Sequence, residues 1–185
     1  QTGSGTQSNM NVNEVIANRA SELLGVALGS KRPIHPNDHV NLSQSTNDVY
    51  PTAVRLTMIR NVPTLVAEQE ALKAALLAKA EEFHDVIKVG RTQLMDAVPM
   101  RLGHEFRAFA TTIGEDIDRL REVANLLREV NLGGTAIGTG INADPAYADL
   151  AIAELSAITG EALVRSENLI EATSDTGAFV QLSGV

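Results

Sequence analysis

One apolar stripe constrains this chain more than any other feature. Leu102, Phe106, Phe109, Ile113, Ile117, Leu120, Ala124 and Leu127 follow one another at steps of three or four residues, the spacing of one helix face. A stripe of 26 residues, Leu102 to Leu127, predicts a helix about 39 Å long at about 1.5 Å per residue, longer than a small domain is wide. Such a helix is stable only when its apolar face is covered along its length. A long bundle or an interface between subunits is therefore expected. Only 3% of the 185 residues are aromatic, with no Trp, so the core must come from Leu, Ile, Val and Ala. The predicted class is all-α.

The flanking segments read in the same terms. A first helix is predicted from Asn11 to Leu24, with Val12, Val15, Ile16, Leu23 and Leu24 on one face and Gly25 as its stop. Residues 29–48 are polar, broken by Pro33 and Pro36, and read as a loop. Asn47 or Asp48 is expected to cap a second helix that runs towards Phe83, kinked or divided at Pro63. Val86–Val89 reads as extended, Gly90–Pro99 as a loop and Leu132–Asn142 as a glycine-rich loop. A helix over Tyr147–Ile158 should end at Gly160, and a last one should begin near Ser166.

Several function classes drop out. With 15 Lys+Arg against 23 Asp+Glu the net charge is −8, the wrong sign for gripping phosphate backbones. The absence of Cys removes disulfides, zinc ribbons and thiol nucleophiles. No apolar run approaches the roughly 18 residues of a membrane helix, and no signal peptide is legible. The expected location is cytoplasmic.

Three polar loops at predicted helix ends carry the chemical information. The first is Gly3-Ser4-Gly5-Thr6-Gln7-Ser8-Asn9, where a helix N-terminus and small donors would suit an anion; simple capping is the alternative. The second, Ser43-Gln44-Ser45-Thr46-Asn47-Asp48, holds more donors than one cap requires. In the third, Gly90-Arg91-Thr92-Gln93-Leu94-Met95-Asp96-Ala97-Val98-Pro99, Arg91 either holds a carboxylate or pairs with Asp96. Loops at opposite ends of an antiparallel bundle cannot all meet within one chain, so neighbouring subunits are expected to complete the site. Dicarboxylic acids suit such donors better than phosphates, which recruit more Lys and Arg.

Other signals point elsewhere. Gly133-Gly134-Thr135-Ala136-Ile137-Gly138-Thr139-Gly140 lacks the Lys-Ser/Thr and the βαβ context of a nucleotide loop and reads as a structural turn. Pro36 prevents His35 and His39 from forming a regular helical ligand pair, so no metal site is expected. His84 and His104 read as solvated or structural, and the Glu81-Glu82-His84-Asp85 cluster as a solvated helix end.

Taken in order, five segments make the chain resemble the fumarase/aspartase superfamily of lyases, within its aspartate ammonia-lyase and class II fumarase branch. They are Gln1–Asn11, His35-Pro36-Asn37-Asp38-His39-Val40-Asn41, Ser43–Asp48, Gly90–Pro99 and Gly133–Gly140. The resemblance implies a homotetramer on a central bundle of long helices, with active sites drawn from three subunits. Residues 1–46 would then end an N-terminal domain, and 47–185 would form part of the central bundle, with a C-terminal remainder missing.

By the same resemblance, Thr6, Ser45, Thr46, Asn47 and Thr92 fall on positions that hold the substrate's carboxylates and amino or hydroxyl group. Arg32, His35, Asn37 and Asp38 fall on a second anion site. No cofactor is implied, and an activating divalent metal is left open. Gln93, Thr46, His39 and the run Ile170-Glu171-Ala172-Thr173-Ser174-Asp175 are similar to aspartate ammonia-lyases. Fumarases usually carry Gly-Arg-Thr-His where this chain has Gly90-Arg91-Thr92-Gln93, and Ser-Ser-Asn-Asp where it has Ser45-Thr46-Asn47-Asp48.

The implied reaction is reversible anti elimination of ammonia from L-aspartate to fumarate. Malate/fumarate hydration, and a non-catalytic helical assembly module, are the alternatives. Gln93 cannot serve as a base, because an amide does not titrate. The family's base is a serine on a loop bearing Met-Pro and Lys-x-Asn-Pro, and that motif does not occur in these 185 residues. The reading is of a fragment without a catalytic residue of its own. The isolated chain should therefore leave fumarate absorbance flat with aspartate as substrate; clear turnover would contradict this.

Overall fold

The computed structural model describes residues 5–185; Gln1–Ser4, which include Gly3 and Ser4 of the first donor loop, lie outside the described residues. The elements run α1 (Thr6–Leu23), a π-helical turn (Pro36–Val40), α2 (Thr46–Glu82), β1 (Ile87–Thr92), β2 (Met95–Arg101) and α3 (Leu102–Leu126). They continue with β3 (Glu129–Val130), α4 (Tyr147–Thr159), β4 (Val164–Arg165), α5 (Leu169–Ser174) and α6 (Gly177–Gly184). The helical class stands. Strands are confined to an antiparallel β1–β2 hairpin and a two-residue parallel β3–β4 pair. No helix among the described residues is long and apolar enough to cross a membrane.

The chain forms two compact units. Gln1–Met58 and Leu126–Phe179 make one; Ile59–Asn125 and Val180–Val185 make the other.

In the second unit the later part of α2 packs antiparallel to α3. Glu70 pairs with Arg121 at 3.3 Å, Gly114 lies beside Lys73, and Gly103 lies against Ala80 and Phe83. A Cβ on Gly103 would stand 2.3 Å from the Ala80 carbonyl oxygen, so glycine there sets how closely the helices approach. Ile117, Leu120 and Ala124 are buried as the stripe requires, but Phe109 stays half exposed. The helix has 25 residues, or about 37 Å, and ends one residue before the last member of the stripe, Leu127, which is itself buried.

Pro63 does not divide α2, which is continuous over 37 residues. Ile59 and Val62, three apart on one face, are both buried, and that anchorage carries the helix past one missing hydrogen bond. The expected Gly90–Pro99 loop is the end of a hairpin instead. Its two-residue turn, Gln93-Leu94, has positive φ at both positions, 49° and 65°. That is the twist a tight hairpin demands, reached without the usual Asn-Gly.

In the first unit α1 reverses the expectation drawn from its apolar residues. Asn9, Asn13, Ala17 and Ser21 form its buried face, while Val12, Val15, Ile16, Leu23 and Leu24 are all exposed. The inward amides have partners, which lowers the cost of burying them. The predicted last helix is two: Asp175 is extended between α5 and α6, and its carboxylate accepts from Gly177 N at 3.0 Å.

One side chain joins the start of α2 to the glycine-rich loop. Ser45 is the N-cap, its Oγ accepting from Asn47 N at 3.2 Å, while Asp48 Oδ1 accepts from Ser45 N at 3.0 Å. This is a reciprocal capping box. Asp48 Oδ2 turns the other way and accepts from Gly133 N at 3.2 Å and Thr135 N at 2.9 Å. Asp48 is fully buried, and burial pushes its carboxyl above the ordinary 3.8, outweighing the backbone donors that lower it. The folded chain thus holds this proton more tightly than the unfolded one. Asp48's titration favours folding fully below pH 3.8, and that contribution is lost as pH rises through the higher folded value.

Two outcomes are expected. Gly103→Ala should cost about 1–3 kcal/mol in urea unfolding through overpacking at Ala80. Asp48→Asn should cost about 1–3 kcal/mol, because an amide cannot accept from three backbone donors on two sides. It should also abolish the loss of stability just above pH 3.8; wild-type stability in that variant would contradict the tie.

Candidate functional site

The N-termini of α1 and α2 come together in the first unit. Gly5 precedes α1 with φ +88°, and a Cβ there would stand 2.7 Å from the Tyr50 ring of α2, so this close approach needs glycine. Asn9 Nδ2 donates to Thr46 Oγ1 at 3.1 Å and to Asn41 Oδ1 at 3.3 Å. Asn13 Nδ2 donates to Asn41 Oδ1 at 3.1 Å and to Asn9 O at 3.0 Å. Three asparagines thereby fasten α1 to the loop before α2.

Thr6 opens α1 and is exposed; at the start of α2, Ser45 and Thr46 are half-buried and Asn47 is exposed. Two of the three donor loops thus meet within one unit, which the bundle geometry inferred from sequence did not anticipate. Two helix N-termini side by side add partial positive charge without any Lys or Arg.

The local hydrogen bonds define what each side chain has left to offer. Ser45 Oγ and Thr46 Oγ1 both act as acceptors, from Asn47 N and Asn9 Nδ2, so each keeps its own O–H to donate. Asn47 is partly committed: Nδ2 donates to Ala136 O at 2.7 Å, and its carbonyl accepts from Asn131 Nδ2 at 3.0 Å. Behind them, burial raises the Tyr147 phenol, and the Asp48 carboxylate adds to the rise.

The residues of the second anion set are placed unevenly. His35 caps the π-helical turn, its Nδ1 accepting from Asn37 N at 3.2 Å and Asp38 N at 3.1 Å. His39 Nδ1 in turn accepts from His35 N at 2.8 Å. Asn37 and Asp38 line a cavity of about 550 Å³ with Asn41, Ser43, Ser45 and Thr135. Arg32 is exposed and does not line it. No group of three or more His, Asp or Glu among the described residues is placed to hold a metal ion.

Thr92 and Gln93 belong to the second unit. Thr92 ends β1, Gln93 opens the hairpin turn, and both are exposed. Arg91 is paired with Asp96 at 3.3 Å, the structural alternative of the two open to it.

The sequence named the polar loops but not the scaffold that holds them. The Ser-x-x-Asp spacing of a capping box was legible at Ser45–Asp48, and Asn9 and Asn13 stand one helical turn apart. The grip of Asp48 and Asn47 on residues 133–136 had no local signal, being made across more than eighty residues.

Comparison with known proteins places these features in a family. The family model described as "Lyase" matches residues 1–185. The aspartate ammonia-lyase of Pseudomonas aeruginosa is 60% identical over all of this chain and 39% of its own length. That of Escherichia coli is 50% identical over 38% of its length. A solved structure described as a fumarate lyase:delta crystallin from Brucella melitensis, bound to cobalt, superposes with a TM-score of 0.92 at 62% identity. It is matched over 98% of this chain and 40% of its own. The class II fumarase of Schistosoma mansoni gives 0.86 at 37% identity, over 100% of this chain and 42% of its own. The chain spans about two fifths of the length of these relatives. With its donor loops in the order read from sequence and its fold shared with these structures, the chain belongs to the lyase family, the fumarase/aspartase superfamily.

Proposed function

We propose that the whole protein carrying this chain is an aspartate ammonia-lyase, which eliminates ammonia from L-aspartate in the anti sense to give fumarate, reversibly. The observation that carries this reading is the approach of the N-termini of α1 and α2, where Asn9 donates to Thr46 at 3.1 Å and Gly5 lies against Tyr50. Relatives named aspartate ammonia-lyase at 50–60% identity support it, as does Gln93 in place of the histidine usual in fumarases.

The chemistry follows from charge. Taking a proton from the carbon beside a carboxylate builds a dianionic enediolate. Donors already fixed around that carboxylate stabilise the new charge without reorganising. Ser45 and Thr46 keep O–H protons for this purpose, and Thr6 adds an exposed hydroxyl at the first turn of α1. Asn47 would turn its remaining amide capacity to the substrate. Thr92 and Gln93 would bind or orient it, and Arg32, His35, Asn37 and Asp38 would form the second anion site. By the resemblance, the base would be a serine on a loop whose motif does not occur in these 185 residues.

The working assembly in this reading is a cytoplasmic homotetramer, with the hairpin tip completing a neighbour's site. Residues 1–46 close its N-terminal domain and 47–185 belong to its central bundle. Half-exposed Leu65, Leu72 and Phe109 support burial between subunits, since single chains rarely leave a long helix pair so apolar outside.

The whole protein should produce fumarate from aspartate and little from malate; the reverse preference would replace this reading with fumarase. Ser45→Ala should lower kcat/KM for aspartate by about 10²–10³-fold, the loss typical of one donor to developing charge. An unchanged value would remove Ser45 from the site.

A further inference from the structure

Thr135 stands in the glycine-rich run that read as a structural turn, and its geometry does not fit a turn alone. Its φ is +56°, in the left-handed region that a β-branched residue rarely enters. Glycine would adopt this conformation freely, and glycines occupy positions 133, 134, 138 and 140 around it. The strain is held from outside: Thr135 N–H donates to Asp48 Oδ2 at 2.9 Å, and the next carbonyl, Ala136 O, accepts from Asn47 Nδ2 at 2.7 Å.

The side chain is 6% exposed, and its buried hydroxyl has no hydrogen-bonding partner. Thr135 lines the cavity of about 550 Å³ that Ser45 also lines. Two further non-glycine residues of that wall, Ser43 and Asn142, have φ of 62° each. Backbone strain gathered around one cavity, in residues that glycine could replace at lower cost, is characteristic of a site kept for function. A buried hydroxyl without a partner calls for an explanation of the same kind.

We propose that Thr135 is a further substrate-binding residue, whose hydroxyl donates to a carboxylate of the dicarboxylate held beside Ser45. No protein hydrogen bond has to break for the hydroxyl to turn about χ1 towards the cavity. Asp48 and Asn47, by gripping the backbone on either side, hold Thr135 where the substrate needs it. The proposal rests on the aspartate ammonia-lyase reading and adds to it a residue from the second segment of the first unit.

The test uses the whole protein, with fumarate formation from aspartate and thermal unfolding measured on Thr135→Gly, Thr135→Val and Thr135→Ser. Glycine removes both strain and hydroxyl, so Tm should hold or rise while KM rises about tenfold or more, the loss of one hydrogen bond to a charged group. Valine keeps the branched shape and should raise KM as glycine does, with kcat changed less. Serine restores the hydroxyl and should restore KM. Wild-type kinetics in both the glycine and valine variants overturn the proposal and leave the lyase reading intact. A lowered Tm with equal kinetic loss in all three variants also overturns it, because a structural role would then suffice. No turnover of aspartate by the wild-type protein overturns the reading and the proposal together.

Discussion

The buried carboxylate of Asp48 is the interaction on which the first unit depends. One oxygen closes the capping box at Ser45, and the other holds Gly133 and Thr135 by their backbone N–H groups. A carboxylate is the only side chain that can accept in both directions at once from a position this confined. Its neighbour completes the grip, Asn47 holding Ala136 O and receiving Asn131. Consecutive residues at the first turn of α2 thus bind together loops more than eighty positions apart. The donors that face the substrate in the proposed site stand on this frame. Removing the carboxylate would leave backbone donors buried without partners, a cost paid in stability as well as in placement.

A second organising fact is which faces the helices turn inward. The buried face of α1 is built of amides and small residues, and its valines and isoleucine point to solvent. Asn9, Asn13 and Asn41 satisfy one another and Thr46, which makes this polar packing affordable. In the proposed tetramer the outward apolar faces have a purpose, since they and the α2–α3 pair would meet other parts of the assembly.

Much of this was legible in the sequence, for physical reasons that differ by element. The stripe from Leu102 to Leu127 located α3 because a three- or four-residue period has one structural meaning over that length. Gly160 marked the end of α4 because its left-handed φ of 74° is one that glycine takes freely. The polar residues of Ser43–Asp48 stood out as more than a cap needs, whereas the loop holding Thr6 also fitted simple capping. The hairpin at Gln93-Leu94 was hidden, because its turn forgoes the Asn-Gly that would have announced it. The inward face of α1 was hidden because buried asparagines reveal themselves only through their partners. Pro63 misled because local propensity yields to the burial of Ile59 and Val62. The importance of Thr135 lay in a backbone angle, which no residue pattern records.

The central claim is that α1 and α2 present their N-termini to one carboxylate. The most direct measurement is a crystal structure of the whole protein with fumarate bound. The account predicts one fumarate carboxylate within hydrogen-bonding distance of Ser45 Oγ and Thr46 Oγ1, with Thr6 beside it. Fumarate bound away from both hydroxyls, with Ser45 engaged only as a helix cap, would contradict it.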